Sequence, residues 1–180
     1  MHILHDNDYD KNKFSNYIDE TYFRLYHSLQ YIERQCCDGI SIVVASDDNI
    51  DEFVRIINAS YDDLSVTKEQ LLNYRKTPVF KYDLWILLKD IYNGNYVGCG
   101  IADFDSEARE LILEWIQILP LYRRRGLARL IVNEVLYKMR HEANFATVSG
   151  KINNTTQPEK LYRSCGFTGN DIWHVLYKKQ

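Results

Sequence analysis

Three strand-like runs lie close together in the middle of the sequence, and a long amphipathic pattern follows them. The runs span residues 84–89, 96–105 and 111–119, and short polar connections separate them. The first connection contains Asn93-Gly94, the strongest two-residue signal for a β-hairpin. Together these features predict an antiparallel meander at the centre of the fold.

After Pro120 the apolar residues recur at steps of three and four, which predicts an amphipathic helix over about 126–141. The remaining elements follow from the same kinds of pattern. Strands are predicted over 40–45, 145–152 and 172–178. A helix begins after Ser46 and carries apolar residues from Ile50 to Tyr61. Two short helices follow: one begins at the capping box of Thr67 and Gln70 and ends before Pro78, and the other runs from Pro158 to Cys165.

At the amino-terminal end, the apolar residues Phe14, Ile18, Tyr22, Leu25, Tyr26, Leu29 and Ile32 also recur at helical spacing. This pattern predicts a helix over 14–32 that ends near Gly39. Its many aromatic side chains suit the lining of an acceptor pocket or a homodimer contact, and they equally suit a helix that covers a sheet. These three alternatives stay open on the sequence.

The elements combine into an α/β fold, with a mixed, mostly antiparallel sheet of six or seven strands flanked by helices and an extra N-terminal helix. A chain of 180 residues suits one domain. We therefore expect a single domain over 1–180, with an N-terminal helical extension at 1–39 and a core at 40–178.

Composition limits the classes of partner. The 22 Lys and Arg against 25 Asp and Glu give a net charge of -3, so we expect neither nucleic acid nor a membrane surface as a partner. No apolar run reaches the roughly 20 residues that span a bilayer, and the first residues lack a signal-peptide pattern, so we expect a cytoplasmic protein. The 4 cysteines and 5 histidines show no metal-ligand spacing, so we predict no metal.

The most informative segment runs from the end of the third strand, at Ile118, through Pro120 and a cationic turn into the long helix. A helix start presents free N–H groups and the positive end of the helix dipole, which together suit a phosphate. Gly126 and the small Ala128 let an anion approach the backbone, and Arg123, Arg124 and Arg125 add positive charge. Taken alone, three arginines also fit a solvated surface run.

At these residues the sequence resembles the GNAT superfamily of acyl-CoA-dependent N-acetyltransferases. Arg123-Arg-Arg-Gly126-Leu-Ala128 satisfies the family pattern of Gln or Arg, two residues, Gly, one residue, then Gly or Ala. The hydrophobic-x-Pro strand end at 118–120 also agrees, and Leu161-Tyr162-Arg-Ser-Cys-Gly166-Phe167 matches the helix end of the family. The resemblance covers about 40–178, and it implies a GNAT-like sheet that parts near Ile118.

The resemblance implies roles for individual residues. The backbone amides of Arg124, Arg125, Gly126, Leu127 and Ala128 would hold the diphosphate of acetyl-CoA, the acyl-donor substrate. Ile118 would pair with pantetheine and polarise the thioester, and Tyr162 would protonate the departing thiolate, as a neutral phenol can. Asn154 resembles a pantetheine-binding asparagine, although a loop cap at Asn153 or Asn154 is the alternative.

An attacking ammonium must first lose a proton, so a base is expected. Glu114 is the only acid inside the third strand after its first residues, and strand alternation places it on one face with Ile112, Ile116 and Ile118. Burial among these isoleucines would raise the basicity of Glu114. A structural glutamate at a sheet edge, a pairing with an arginine, and a base made of water molecules are the alternatives.

These observations lead to one principal hypothesis and two rivals. The principal hypothesis is transfer of an acetyl group from acetyl-CoA to a primary amine of a small molecule or peptide by direct attack. One rival is a non-catalytic acyl-CoA sensor or interaction module on the same fold. The other is a nucleic-acid patch formed by the arginines of the Gly126 helix, against which the acidic net charge argues.

Overall fold

The computed structural model describes residues 1–60 and 65–179. Within them, eight strands form one sheet in the order β1-β8-β2-β7-β6-β5-β4-β3, where six or seven strands were expected. The strands are β1 His2–His5, β2 Tyr17–His27, β3 Ile40–Val44, β4 Ile86–Asp90, β5 Tyr96–Asp105, β6 Glu110–Ile118, β7 Phe145–Lys151 and β8 Thr168–Lys178. The α-helices are α1 Ile50–Asn58, α2 Lys68–Tyr74, α3 Leu127–Met139 and α4 Pro158–Ser164.

Most of the predicted elements are confirmed. Strands β4, β5 and β6 form the antiparallel meander, and Asn93-Gly94 lies in its first turn. The capping box that opens α2 is present, with Thr67 Oγ1 accepting from the Gln70 amide at 3.2 Å and Gln70 Oε1 accepting from the Thr67 amide at 2.8 Å. Tyr61, predicted to end the helix after Ser46, lies outside the described residues.

The N-terminal helix predicted over 14–32 is wrong, because most of that segment forms strand β2. Strand β2 lies between β7 and β8 and pairs antiparallel with both. The side chains of Phe23, Leu25 and His27 are buried at every second position, which is the period of a strand. The hydrogen bonds to two neighbouring strands and this burial outweigh the helical spacing of the local sequence.

Helices cover two faces of the sheet. On the first, here called the α3 face, Ile118 and Ala102 pack in one core with α3 residues such as Ile131. On the second, here called the α1 face, Cys99 and Ile101 pack with Phe53 of α1. Gly100 allows this packing on the α3 face, because a Cβ atom there would collide with Ile131. Among the helices of the described residues, none is long and apolar enough to cross a membrane.

The sheet parts between β6 and β7. These two strands run parallel and pair only from Glu110 to Leu113, so the rest of β6 diverges from β7. At the same point β6 bulges against β5, because Leu113 lies opposite Ala102 and Trp115 lies opposite Ile101. Glu114 is therefore the extra residue of a β-bulge at the point where the sheet opens.

Candidate active site

A cleft of about 1020 Å³ lies on the α3 face where the sheet opens. The end of β6, the turn after Pro120, the first turn of α3, the loop before α4 and α4 itself line this cleft. Its volume is at the upper end of the range of about 300–1,000 Å³ that is usual for ligand sites. The cleft is therefore large enough for an extended ligand.

The turn that begins α3 offers unbonded backbone amides to the cleft. Gly126 is the N-cap and has φ 76° and ψ 0°, a left-handed conformation that favours glycine. A Cβ atom at Gly126 would meet nothing within 4 Å, so open space lies beside its backbone. Among the described residues, no acceptor bonds the amides from Arg124 to Ala128. Since a helix start carries a partial positive charge, this turn is suited to an anion.

The charged side chains that line the cleft are all cationic. Arg123, Arg124, Arg129 and Lys160 belong to the lining, which includes no Asp or Glu among the described residues. Arg125 does not line the cleft, and its guanidinium lies over the ring of Tyr122 at 5.5 Å. A locally cationic cleft in a chain of net charge -3 indicates an anionic ligand.

Arg123 contacts β6 rather than open solvent. Its Nε donates to the carbonyl of Ile118 at 3.0 Å. The Leu119 amide bonds Val97 of β5 at 2.9 Å, and neighbouring residues of a strand direct their backbone groups to opposite sides. The N–H and C=O of Ile118 therefore point away from β5, into the opening between β6 and β7. Arg123 fixes the position of that carbonyl.

Tyr162 lines the cleft from α4, and only 7% of the residue is exposed. Its ring packs against Phe23 of β2 and Phe167, with ring centroids 6.4 and 5.9 Å away. The Phe167 amide donates to the Tyr162 carbonyl at 3.1 Å and so closes the end of α4. These contacts hold the ring of Tyr162 at the wall of the cleft.

His27 supports the end of α4, and the sequence analysis did not identify it. Its Nδ1 accepts the Leu29 amide at 2.9 Å, and its ring packs 5.2 Å from Phe167. Burial lowers the pKa of His27, whereas a hydrogen bond to the Cys165 backbone acts in the opposite direction. A neutral ring with Nδ1 as acceptor is therefore the form that fits. The signal for His27 was the alternation of β2, which is visible only once that segment is known to be a strand.

Glu114 lies beside the opening but does not line the cleft. The predicted face is wrong, because the bulge changes the alternation: Ile112 lies opposite Asp103, whereas Ile116 and Ile118 lie opposite Gly100 and Gly98. Ile112 is therefore on the α1 face, with the other two isoleucines on the α3 face. Glu114 itself is exposed. Partial burial of its carboxyl nevertheless raises the pKa of Glu114, whereas the positive charge of Arg24 lowers it.

Asn154 caps a loop. Its Oδ1 accepts from the amide of Thr156 at 2.9 Å and from the Thr156 hydroxyl at 2.7 Å. Asn154 does not line the cleft, although its neighbours Thr155 and Thr156 do. This geometry corresponds to the loop-cap alternative.

The structure thus brings most of the predicted site residues into one cleft, namely Ile118, Arg123, Arg124, Gly126, Leu127, Ala128 and Tyr162. The sequence analysis missed two cleft cations, Arg129 and Lys160, as members of this site. Arg129 lies in the first turn of α3, and its Nη2 also donates to the Ser164 carbonyl of α4. Its position three residues after Gly126 was the available signal. Within the described residues, no group of three or more His, Cys, Asp or Glu could hold a metal ion.

Comparison with known proteins agrees with this geometry. Residues 81–169 match the family model described as an acetyltransferase (GNAT) domain. A comparison with curated proteins gives no significant match. The matched segment contains the bulge, the turn before α3 and Tyr162.

Solved structures share the fold over most of the chain. The GCN5-related N-acetyltransferase from Sphaerobacter thermophilus has a TM-score of 0.76 at 16% identity, over 92% of this chain and 53% of that chain. This chain thus spans about half the length of that protein. The ribosomal-protein-S18-alanine N-acetyltransferase from Escherichia coli has a TM-score of 0.60 at 16% identity, over 78% of this chain and 96% of that chain.

A third structure, the GCN5-related glucosamine N-acetyltransferase region of a fungal multi-domain β-N-acetylglucosaminidase, has a TM-score of 0.69 at 13% identity. It covers 96% of this chain and 24% of that chain. At these identities the likeness establishes the fold. The family match contains the turn before α3, and the sheet opens beside that turn, so residues 81–169 belong to the GNAT family of acetyltransferase domains and the chain has the fold of that family.

Proposed function

We propose that this chain transfers an acetyl group from acetyl-CoA to a primary amine by direct attack, without a covalent acyl-enzyme. The observation that carries the proposal is the cleft itself. Unbonded amides and four cationic side chains lie along it, and Tyr162 lines the same cleft near the opening of the sheet. An extended anionic donor fits this arrangement, since its diphosphate and its thioester need different surroundings.

The diphosphate binds at the start of α3. The amides of Arg124, Arg125, Gly126, Leu127 and Ala128 supply hydrogen bonds, and the helix dipole favours the negative charge. Arg124 and Arg129 supply positive charge beside these amides. The open space at Gly126 supports this role, because a phosphate oxygen can approach the backbone there.

The pantetheine arm lies along the diverging part of β6. The backbone groups of Ile118 point into the opening, where an amide-containing arm can pair with them as an added strand would. Arg123 already bonds the Ile118 carbonyl, so the N–H of Ile118 is the group we assign to the ligand. An N–H group directed at the thioester carbonyl would also stabilise negative charge that develops on oxygen during attack.

Tyr162 and Glu114 act from opposite sides of the sheet. Tyr162 lines the cleft on the α3 face and gives its phenolic proton to the departing sulfur. We assign Glu114 to the α1 face, because its negative charge raises the pKa of Asp103, which lies on that face two residues after Ile101. The acceptor amine therefore approaches from the α1 face and meets the thioester in the opening. Donor and acceptor have separate entrances in this arrangement.

The acceptor class is a primary amine of a small molecule or a peptide. The printed names of two structural neighbours specify an alanine of a ribosomal protein and glucosamine, so the fold accommodates different acceptors. The negative charge of Glu114 on the acceptor side suits an amine that arrives as an ammonium ion. We assign no nucleic-acid role, since Arg123 bonds β6 and the cationic side chains line a cleft.

The test combines binding with turnover. Isothermal titration calorimetry with CoA measures affinity, and release of CoA thiol from acetyl-CoA in the presence of a panel of primary amines measures transfer. Tyr162→Phe should lower kcat by about 100-fold or more and leave CoA affinity within about twofold. Tyr74→Phe, at an exposed tyrosine of α2, is the matched control and should change neither quantity.

Two outcomes contradict the proposal. If millimolar CoA gives no heat of binding, the cleft does not hold the donor. If CoA binds and no amine in the panel is acetylated, the sensor alternative replaces the enzyme.

A further inference from the structure

Asp103 lies next to the opening of the sheet. It is in β5 opposite Ile112 of β6, and Glu114 follows at the bulge. Asp103 is on the α1 face, because it follows Ile101 by two residues on an unbroken strand. On the other side of β5, Phe80 makes a β-bridge with Asp103, where strand β4 no longer pairs. The Asp103 side chain is half-buried there.

Among the residues that the structure describes, no cation lies within 4.0 Å of the Asp103 or Glu114 carboxyl, and neither carboxyl accepts a side-chain hydrogen bond. The nearby acid Glu110 differs, because Arg24 bonds it at 2.7 Å and Thr147 donates to it as well. Asp103 and Glu114 lie on neighbouring strands beside the opening of the sheet, so both carboxyls are available to an external ammonium group.

The charge of Glu114 acts on the Asp103 carboxyl. Burial raises the pKa of Asp103 to about 6, and the negative charge of Glu114 adds to this shift. Burial also raises the pKa of Glu114, against the effect of Arg24. A nearby negative charge favours the protonated form of a carboxyl, so Asp103 keeps its proton to a higher pH while Glu114 is ionised.

The other charged groups near this pair are already engaged. Arg24 faces Glu114 from β2 and is ion-paired with Glu110. Arg75 of the segment after α2 lies over the Phe80 ring at 5.4 Å and is ion-paired with Asp47 at 2.6 Å. On the opposite face, Lys81 lies over the Phe104 ring at 6.0 Å. None of these cations forms an ion pair with Asp103 or Glu114 in the described residues.

We propose that Asp103 is a positioning residue that shares with Glu114 the proton removed from the acceptor amine. This inference rests on the proposed acetyl transfer. It adds a second carboxyl to the base, and this carboxyl lies on the neighbouring strand β5.

The protons balance in this scheme. The acceptor ammonium gives one proton to the Asp103–Glu114 pair, and the free amine attacks the thioester carbonyl. A C–N bond forms and the C–S bond breaks, and the sulfur leaves with the bonding electrons and takes a proton from Tyr162. The second proton of the attacking nitrogen restores the phenol. The pair then releases its proton to water, so each turnover yields one amide, one CoA thiol and one proton.

A shared proton suits catalysis near neutral pH. A base is most efficient when its pKa is near the working pH, because it is then both available and strong enough. An isolated exposed glutamate, with a pKa of about 4.3, is available but weak. The neighbouring acid raises the affinity of the pair for the proton. The pKa of the pair then sets the acidic limb of the pH–rate profile.

The first test measures kcat/KM against pH for the best primary amine of the panel, in the wild type, Asp103→Asn, Glu114→Gln and the double variant. Asp103→Asn should lower kcat about 10-fold at pH 7 and move the acidic limb to lower pH, with the KM for acetyl-CoA unchanged. The double variant should lose about 100-fold or more. Glu107→Gln, in the exposed turn between β5 and β6, is the control and should leave the profile unchanged.

The second test does not depend on turnover. Carboxyl-¹³C NMR of labelled wild-type protein should show Asp103 titrating near pH 6, and Glu114→Gln should lower that midpoint. A midpoint near 4 in the wild type would overturn the inference, as would an Asp103→Asn profile identical to that of the wild type. If no amine is acetylated, the proposed function fails, and the NMR titration still decides whether the two carboxyls share a proton.

Discussion

Replacement of Gly126 by Ala tests whether an anion approaches the turn that begins α3. Gly94, in the turn between β4 and β5, is a matched control, because it has the same φ of 76° and an added Cβ atom meets nothing within 4 Å at either glycine. The two variants therefore carry the same backbone strain and no clash. For ligand binding they differ in that Gly126 lines the cleft and Gly94 does not.

The expected cost in stability follows from the backbone. A left-handed residue with a Cβ atom costs about 1–2 kcal/mol, and the loss of glycine entropy in the unfolded chain returns about 0.4–1 kcal/mol. Both variants should therefore lose about 1 kcal/mol in the free energy of unfolding. For a chain of this size, that loss lowers Tm by about 2–4 °C in differential scanning calorimetry.

Binding should separate the two variants. In Gly126→Ala the new methyl group occupies the space through which a phosphate would reach the amides, and the loss of one charge-assisted hydrogen bond costs about 1.5–3 kcal/mol. This corresponds to roughly a 10- to 150-fold increase in the Kd for CoA measured by calorimetry. Gly94→Ala should bind CoA as the wild type does. Equal affinities in the two variants would refute the assignment of the diphosphate to this turn.

Three further predictions concern charge, pH and the core. Arg124→Ala should weaken CoA binding by about 5- to 10-fold at low salt, whereas Arg125→Ala should have little effect. Calorimetry at two ionic strengths measures both affinities, and equal losses in the two variants would contradict the prediction. His27 has a lowered pKa in the folded protein, so its contribution to stability is complete above pH 6.5 and is lost as the pH falls below that value. Urea unfolding of the wild type should show this loss of stability at low pH, and the loss should be smaller in His27→Gln. Leu25→Ala should cost about 2–5 kcal/mol in urea unfolding and Ile18→Ala less than about 1 kcal/mol, and similar values for both would contradict a buried role for β2.

The N-terminal strand shows why local spacing can mislead. Strand β2 carries apolar residues on both of its faces, with Phe23 and Leu25 inward and Ile18, Tyr22 and Tyr26 on the other side. Two apolar faces at a period of two include many pairs that are three or four residues apart, which reproduces a helical pattern. The partners that select the strand lie at the other end of the chain, where no local pattern can register them.

The bulge at Glu114 limited the prediction of the site in a different way. Strand alternation holds only while both strands advance one residue at a time, and one extra residue exchanges the faces of everything after it. The face of Glu114 was therefore unpredictable from β6 alone. The start of α3 was predictable because its determinants are local: a proline that ends the strand, a glycine that permits a left-handed turn and an amphipathic helix.

The position of β2 has a consequence for biosynthesis. Phe23 is paired with Gly150 on one side and Ile172 on the other, so both neighbours of this strand are translated long after it. On the ribosome, the nascent β2 segment has no sheet edge to join until β7 and β8 have emerged. Its apolar side chains and unpaired backbone groups stay exposed throughout that delay. Completion of the Phe23 side of the cleft, against which the Tyr162 ring packs, is therefore among the last steps of folding.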